Sequence, residues 1–294
     1  MDSSTLASAT SNAGSSRPRS RLAGRLLRHP GTRIGGLLVA IVVAGALLAP
    51  LLTPYDPVTI SPESRLQQPS SAHPLGTDIY GRDTLTRVLY GGRISLAVGA
   101  LSVGLALAVG GTLGTMAGFV GGWADVLMMR VADILLAFPA ILLAIGLLAF
   151  LGGGFWNVVI AIAVVYTAPF SRVARAAVLS VRHEEYVDAA RVTGAGDLRI
   201  LTRHVLPNAV APLVVESTLR LALAILAEAA LSFLGLGTQP PAPTWGQMIA
   251  EGRAVMTFSS WPAIGPGLGI TLTVLGFNLL GDSIRDAFDP HLQV

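Results

Sequence analysis

The sequence lacks cysteine and lysine altogether. Without cysteine among the 294 residues, disulfides, thiolate metal sites and cysteine nucleophiles are excluded. All 20 basic residues are arginine. A phosphate-binding loop of the GxxxxGK[ST] type needs a lysine and no such motif occurs, so the chain is not expected to hydrolyse ATP. The five histidines are scattered without metal-ligand spacing, so no metal site and no catalytic residue are predicted.

Charged residues are scarce. They make up 13% of the chain, hydrophobic residues make up 52%, and the mean hydropathy is +0.64. Soluble domains carry about 25% charged residues, so the composition predicts a membrane protein with several spans. The net charge of +3 does not indicate nucleic-acid binding, because the arginines lie at the boundaries of the hydrophobic runs.

Two regions are predicted from the hydrophobic runs. Residues 1–33 are rich in small polar residues and arginine, which is typical of a basic, partly disordered tail. Residues 34–294 form the membrane domain, whose first run is interpreted as an uncleaved anchor and not as a signal peptide. The predicted fold class is therefore all-α with six transmembrane helices. The predicted spans are 34–52, 94–119, 131–151, 156–170, 209–234 and 261–280.

The arginines predict the orientation. Most of those outside the spans lie in the N-terminal tail, in the loop 172–207 and near the C-terminus. Positively charged loops stay on the cytoplasmic side of a membrane. Both termini and the 172–207 loop are therefore predicted to be cytoplasmic, and the long loop after the first span is predicted to lie outside.

Several local patterns predict departures from six straight, separate spans. Gly110, Gly114 and Gly118 recur at every fourth position, and such small residues let membrane helices approach closely. Pro139 predicts a kink in the third span, after a short inner loop that holds Asp125. Residues 83–90 predict a separate amphipathic helix on the membrane face. Residues 231–253 are expected to form an outer loop or a re-entrant segment.

Three ionisable residues fall inside the fifth predicted span: Glu216, Arg220 and Glu228. Such residues usually face a bundle interior or a water-filled cavity. Glu216 and Arg220 are four positions apart, so they can form an ion pair on one helix face. Pairing for stability is the favoured interpretation, and a role in a transport pathway is the alternative.

The most polar long stretch after residue 125 is 184–208, which we call the inter-span segment. Its pattern predicts a helix over 184–193, a glycine turn, a second helix over 198–205 capped by Asp197, and a third helix starting at Pro207. Acidic residues occupy the start of the first helix, where the helix dipole favours them. A docking element and an ordinary solvated loop helix both fit this pattern.

The inter-span segment resembles the EAA motif of ATP-binding-cassette importer permeases. The residues that match the motif or precede it are Glu184, Glu185, Asp188, Ala189, Ala190, Gly194, His204, Leu206 and Pro207. Asp188 stands where glutamate is usual, which keeps the charge. His204 stands where isoleucine is usual and is similar to the dipeptide, oligopeptide and nickel subfamily. Residues 73–96, 231–253 and 280–290 also resemble that subfamily.

This resemblance implies a type I importer permease fold, in which the helix over 184–193 couples the spans to an ATPase. It also implies a bacterial plasma-membrane location, contact with membrane lipid, and no nucleic-acid partner. The implied protein partners are a homologous second permease, two nucleotide-binding domains and an extracytoplasmic substrate-binding protein. This chain then needs no cofactor, because ATP and Mg²⁺ bind the ATPase subunits.

Substrates of such systems include dipeptides, oligopeptides, nickel chelates, glutathione and haem, and the permease sequence does not choose among them. Two other classes of protein predict different patterns. An ion-coupled secondary transporter or channel predicts inverted repeats and paired broken helices, which the sequence does not show. An intramembrane aspartyl protease would need a second aspartate deep in a span besides the one in Gly281-Asp282, and the sequence lacks it. His204 has no Ser or Asp partner at suggestive spacing for another kind of enzyme.

Overall fold

The computed structural model describes residues 29–288, so residues 1–28 of the predicted basic tail and the last six residues of the chain lie outside it. Within the described range the chain is helical, with one isolated β-bridge between Thr77 and Asp83. The helices are α1 Pro30–Leu47, α2 Ala49–Leu52, α3 Thr84–Val120, α4 Gly122–Leu136, α5 Ala140–Leu151, α6 Phe155–Val181, α7 Glu185–Val192, α8 Asp197–Ile200, α9 Leu206–Phe233, α10 Trp245–Arg253 and α11 Trp261–Phe288.

The all-helical membrane fold predicted from the sequence is confirmed. Five helices are long and apolar enough to cross a membrane: α1, α3, α6, the helix that runs through α8 and α9, and α11. The α4–α5 pair passes the same test only when its two members are taken together, and they are bent by 90°. The number of candidate spans is therefore six if this broken pair counts as one.

The third predicted span is more irregular than expected. Pro139 does interrupt it, but the break is complete, because α4 ends at Leu136 and α5 begins at Ala140. The predicted inner loop around Asp125 is helical and belongs to α4. Proline lacks the backbone N–H and clashes with the preceding turn, which accounts for the end of one helix and the start of another here.

The centre of the bundle is the packing of α3 against α6. A Cβ at Gly110 or Gly114 would overlap the carbonyl oxygens of Thr167 or Ser171 on α6. The predicted close approach at the glycine repeat is therefore confirmed. Apolar side chains of α3, α5, α6 and α9 complete a buried core around Phe170. Backbone contact of this kind leaves little freedom for the two helices to slide.

α3 defines the two ends of the bundle. At 1.5 Å per residue its 37 residues span roughly 55 Å. It starts beside the loop 53–83 and α10, which we call the α10 end. It finishes beside the last turn of α6, just before α7, which we call the α7 end. Asp83 caps the first turn of α3, because its carboxylate accepts from Thr86 N at 2.7 Å. From that turn α3 runs without a break to Val120, so the separate amphipathic helix predicted over 83–90 is wrong.

Two predicted helix ends are also corrected. The fourth span does not stop at residue 170, because α6 continues to Val181 with Pro169 inside it. The second short helix and the fifth span are not separate, because α8 runs through a π-helical turn, Leu201–Val205, directly into α9. Pro207 lies in the first turn of α9, but α9 continues the π turn without a break, so this proline does not start a separate helix.

Candidate coupling surface and intramembrane charges

The inter-span segment folds as a short helix packed on the ends of longer ones. α7 occupies Glu185–Val192, slightly shorter than predicted. Its Val187 is fully buried in a small cluster with Val178 of α6 and with Ile200 and Val205 from the α8–α9 region. This cluster fixes α7 to both neighbouring helices, so the segment is a structured part of the bundle end.

The outward face of α7 combines small, apolar and acidic side chains. Tyr186, Ala189 and Val192 follow one another at three-residue spacing, which places them on one side of the helix, away from Val187. Val192 is 89% exposed, and Leu198 on α8 is 76% exposed. The acids Glu184, Glu185 and Asp188 are exposed as well, and Asp188 pairs with Arg191 at 3.2 Å.

Val192 and Leu198 were missed by the sequence reasoning. Both are apolar residues inside the most polar stretch of the chain, and that contrast was the available signal. Conversely, Ala190 is only partly exposed and packs against the buried cluster around Val187. Of the two alanines in the motif, only Ala189 therefore offers an open surface.

The turn after α7 depends on Gly194. Its φ of +83° lies in the left-handed region that glycine adopts without strain. The backbone N–H of Ala195 then donates to Ala190 O at 3.1 Å and closes the turn. Gly196 has an ordinary φ of −68° and serves as the N-cap residue of α8, so the prediction that Asp197 caps this helix is wrong.

Three further motif residues lie where the π turn passes into α9. His204 and Leu206 are partly buried, and Pro207 is exposed. The His204 carbonyl accepts from Asn208 Nδ2 at 2.7 Å. The same Nδ2 donates to the Tyr186 hydroxyl at 3.1 Å, which ties α7 to α9.

Arginines at the end of α6 tie the surface to α3 and α4. Arg175 donates from Nε and Nη2 to the two carboxylate oxygens of Asp125, at 2.6 and 2.7 Å. Arg172 donates to Asp133 at 2.6 Å, and Arg182 donates to Gly118 O at 2.6 Å. Three helices, α3, α4 and α6, are thus tied together at the bundle end that carries α7.

The intramembrane charges lie elsewhere, along α9. Arg220 Nε donates to Glu216 Oε1 at 2.6 Å, so the two residues form the expected pair. The Arg220 guanidinium also lies 5.3 Å from the ring centroid of Tyr166 on α6. Glu228 does not join them: it is fully buried about 12 Å further along the helix, and its Oε1 accepts from Ser232 Oγ at 2.7 Å.

A buried ion cluster at the α10 end was not predicted. Arg82 and Arg87 both donate to Glu251 Oε2, at 2.8 and 3.2 Å. Arg82 Nε also donates to Asp78 at 2.7 Å. These four residues join the loop 53–83 to α10 across a large gap in sequence, and only the folded chain reveals them. Among residues 29–288 no group of three acidic or histidine side chains is arranged to hold a metal ion.

Comparisons with known proteins agree with this architecture. The family described as binding-protein-dependent transport system inner membrane component matches residues 110–294. The N-terminal transmembrane domain of oligopeptide transport permease C matches residues 19–69.

Relatives match over most of the chain. A dipeptide transport system permease protein of Alkalihalophilus pseudofirmus is 46% identical over 260 residues, which cover 88% of this chain and 86% of the relative. A glutathione transport system permease protein of Pectobacterium atrosepticum is 47% identical over 270 residues, which cover 92% of this chain and 90% of the relative. A solved inward-facing structure of the MetNI methionine ABC transporter has a TM-score of 0.57 at 19% identity, over 69% of this chain and 97% of the other.

The fold and these matches define a membrane-embedded permease of ATP-driven import systems. The chain belongs to the family of inner membrane components of binding-protein-dependent transport systems. It is a transport subunit and not an enzyme, since in this family ATP is hydrolysed by separate subunits. The secondary transporter and intramembrane enzyme alternatives receive no support from these matches.

Proposed function

We propose that this chain pairs with a homologous second permease and works with two nucleotide-binding domains and an extracytoplasmic binding protein. Family membership supports ATPase and binding-protein partners in general. ATP and Mg²⁺ then bind on the ATPase subunits, and this chain carries the passage for the substrate. The named activities of its relatives support a peptide or a peptide-like small molecule such as glutathione as the substrate.

We assign ATPase docking to the outward face of α7 with α8. The observation that carries this assignment is the exposure of Val192 and Leu198 on a base that is otherwise rigidly packed. A continuous apolar surface exposed beyond the spans marks a protein contact, and Tyr186, 43% exposed, adds to Val192 on the same side of α7. Ala189 lets a partner approach the backbone, and Glu184, Glu185 and Asp188 can meet its basic groups. Gly194, His204, Leu206 and Pro207 set the angle between this face and α9.

This assignment also gives an orientation. The ATPases of such a system work in the cytoplasm, so the α7 end and both termini lie on the cytoplasmic side. The α10 end, with the loop 53–83, then faces the binding protein. The arginine distribution supports the same direction.

The experiment is an Ala189→Glu substitution in the assembled importer. Ala189 is exposed and has no part in the buried cluster, whereas Ala190 packs against it. A change at Ala189 therefore alters docking without disturbing the fold. We expect normal amounts of the chain in the membrane, with co-purification of the ATPase reduced about tenfold or more and uptake lost. Such a loss corresponds to at least about 1.4 kcal/mol of binding free energy.

The matched control is Ser71→Glu, which adds the same charge at an exposed position of the loop 53–83, at the opposite end of the bundle. It should leave ATPase co-purification unchanged. If Ala189→Glu retains full ATPase binding and full uptake, the docking assignment is wrong, and α7 is an ordinary solvated helix.

A further inference from the structure

The Glu216–Arg220 pair occupies an unusual position in the bundle. Both residues lie near the middle of α9, and Tyr166 lies near the middle of α6. The Arg220 side chain is 25% exposed and that of Glu216 is 16% exposed. Ionisable groups at this depth face protein or water, because contact with lipid is very unfavourable. The exposed side of the pair is therefore not a lipid-facing surface of the assembled transporter.

The hydrogen-bonding capacity of the pair is only partly used. Arg220 donates to Glu216 through Nε alone. Within residues 29–288 neither of its two η amino groups donates a hydrogen bond, and Oε2 of Glu216 accepts none. The Tyr166 ring stacks near the guanidinium and leaves its in-plane N–H donors available. A cation and an anion thus stand side by side with free donors and a free acceptor.

An open apolar cavity of about 260 Å³ is connected to this pair through Tyr166. Tyr166 belongs to both, since it lines the cavity and contacts Arg220. The other walls come from α5, α6 and α9, including Ile141, Ile162 and Ala227. Ala227 is seven positions after Arg220, so it lies two turns away on the same face of α9. The pair and the cavity together offer charged contacts beside an apolar space.

We propose that Glu216, Arg220 and Tyr166 form a binding site in the transport passage for the charged terminus of a peptide. The planar η groups of Arg220 suit a terminal carboxylate in a two-point contact. Glu216 suits an ammonium group, and the cavity suits an apolar side chain. This inference rests on the proposed function, because it assumes that a peptide-like substrate passes along this face.

The test uses single cysteines, which the cysteine-free chain allows. Leu223→Cys lies one turn from Arg220 on the same side of α9, where the native leucine is 45% exposed. Leu275→Cys on α11, where the leucine is 47% exposed, is the matched control. The complete importer in lipid is treated with water-soluble thiosulfonates, either an anionic sulfonatoethyl reagent or a cationic trimethylammonium reagent, and modification of this chain is followed by mass spectrometry.

We expect the Leu223→Cys chain to be modified and the Leu275→Cys chain to stay unmodified. In the Leu223→Cys background, Glu216→Gln should shift the rate ratio toward the anionic reagent, and Arg220→Gln should shift it toward the cationic one, each on the order of tenfold. Excess trialanine should slow the labelling of the thiol at position 223 more than trialanine amide does. Arg220→Gln should abolish that difference.

Three results would overturn the inference. Absence of labelling in the Leu223→Cys chain would mean that the second permease covers the pair. Equal labelling of the Leu223→Cys and Leu275→Cys chains would mean that the pair marks no special passage. Equal protection by trialanine and its amide would remove the carboxylate contact. Thiol labelling in α9 does not depend on docking at Ala189, so its result can be interpreted even if Ala189→Glu fails to weaken ATPase binding. Likewise, the ATPase co-purification test does not depend on the labelling result.

Discussion

Asn208 on α9 donates a hydrogen bond from Nδ2 to the hydroxyl of Tyr186 on α7 at 3.1 Å. This contact is the side-chain hydrogen bond that joins the two helices within the described residues. Because the same Nδ2 also reaches the His204 carbonyl, the amide bridges α7 and the π turn. This amide therefore connects the proposed docking face directly to α9.

Tyr186→Phe should weaken coupling while leaving assembly intact. The change removes one hydrogen bond, worth about 0.5–1.5 kcal/mol, and keeps the ring on the docking face. We expect the ATPase to bind normally and the amount of substrate imported per ATP hydrolysed to fall severalfold in proteoliposomes. Tyr90→Phe is the control, because its ring lies under Arg93 at the other end of α3. An unchanged ratio for Tyr186→Phe would show that the tie carries no coupling.

The proposed orientation can be checked with two labelling sites. Leu198→Cys places a thiol at a 76% exposed position of the α7 end. Ser71→Cys places one at an exposed position of the loop 53–83 at the α10 end. In intact spheroplasts, a membrane-impermeant maleimide should label the Ser71→Cys chain and spare the Leu198→Cys chain. After the membrane is permeabilised, the maleimide should also label the thiol at position 198, provided that the ATPase is absent. Labelling of the Leu198→Cys chain in intact spheroplasts would contradict the orientation.

The sequence predicted what depends on local pattern. Long apolar runs specified helices because the backbone in a membrane must satisfy its own hydrogen bonds. Pro139 predicted the place of the irregularity in the third span, but as a kink and not as the complete break that the structure has. The repeat at Gly110, Gly114 and Gly118 correctly predicted close helix packing. The i, i+4 spacing of Glu216 and Arg220 correctly predicted their contact.

Features that depend on tertiary contacts escaped prediction. α6 continues past residue 170, and there Arg172 and Arg175 form ion pairs with aspartates on α4. The sequence does not show these partners, so the polar stretch was predicted to be a loop. The inward position of Ala190 follows from packing on Val187, which a motif does not reveal. The ion cluster of Arg82, Arg87 and Glu251 joins residues that are far apart in sequence.

That ion cluster supports a last prediction, which concerns stability at the α10 end. Arg87 is 1% exposed and bonds both Glu251 and the Pro57 carbonyl. Removing Arg87 leaves the carboxylates of Asp78 and Glu251 to share Arg82, and an excess buried charge of this kind costs up to about 3–5 kcal/mol. Arg87→Met should therefore lower the thermal stability of the purified chain strongly and loosen the contacts of α3 with α10 and with the loop 53–83. Proteolysis in that loop should become faster.

Arg172→Met is the matched control for this prediction. Its side chain is 56% exposed and pairs with Asp133 at 2.6 Å. An exposed pair contributes about 0–1 kcal/mol, so this variant should melt close to the wild type. Arg87→Met should also be partly rescued by Glu251→Leu, since the double substitution leaves Arg82 and Asp78 as a balanced pair. The cluster does not hold the loop 53–83 to α10 if Arg87→Met and Arg172→Met melt at the same temperature. The same conclusion follows if the variant with both Arg87→Met and Glu251→Leu is no more stable than Arg87→Met alone.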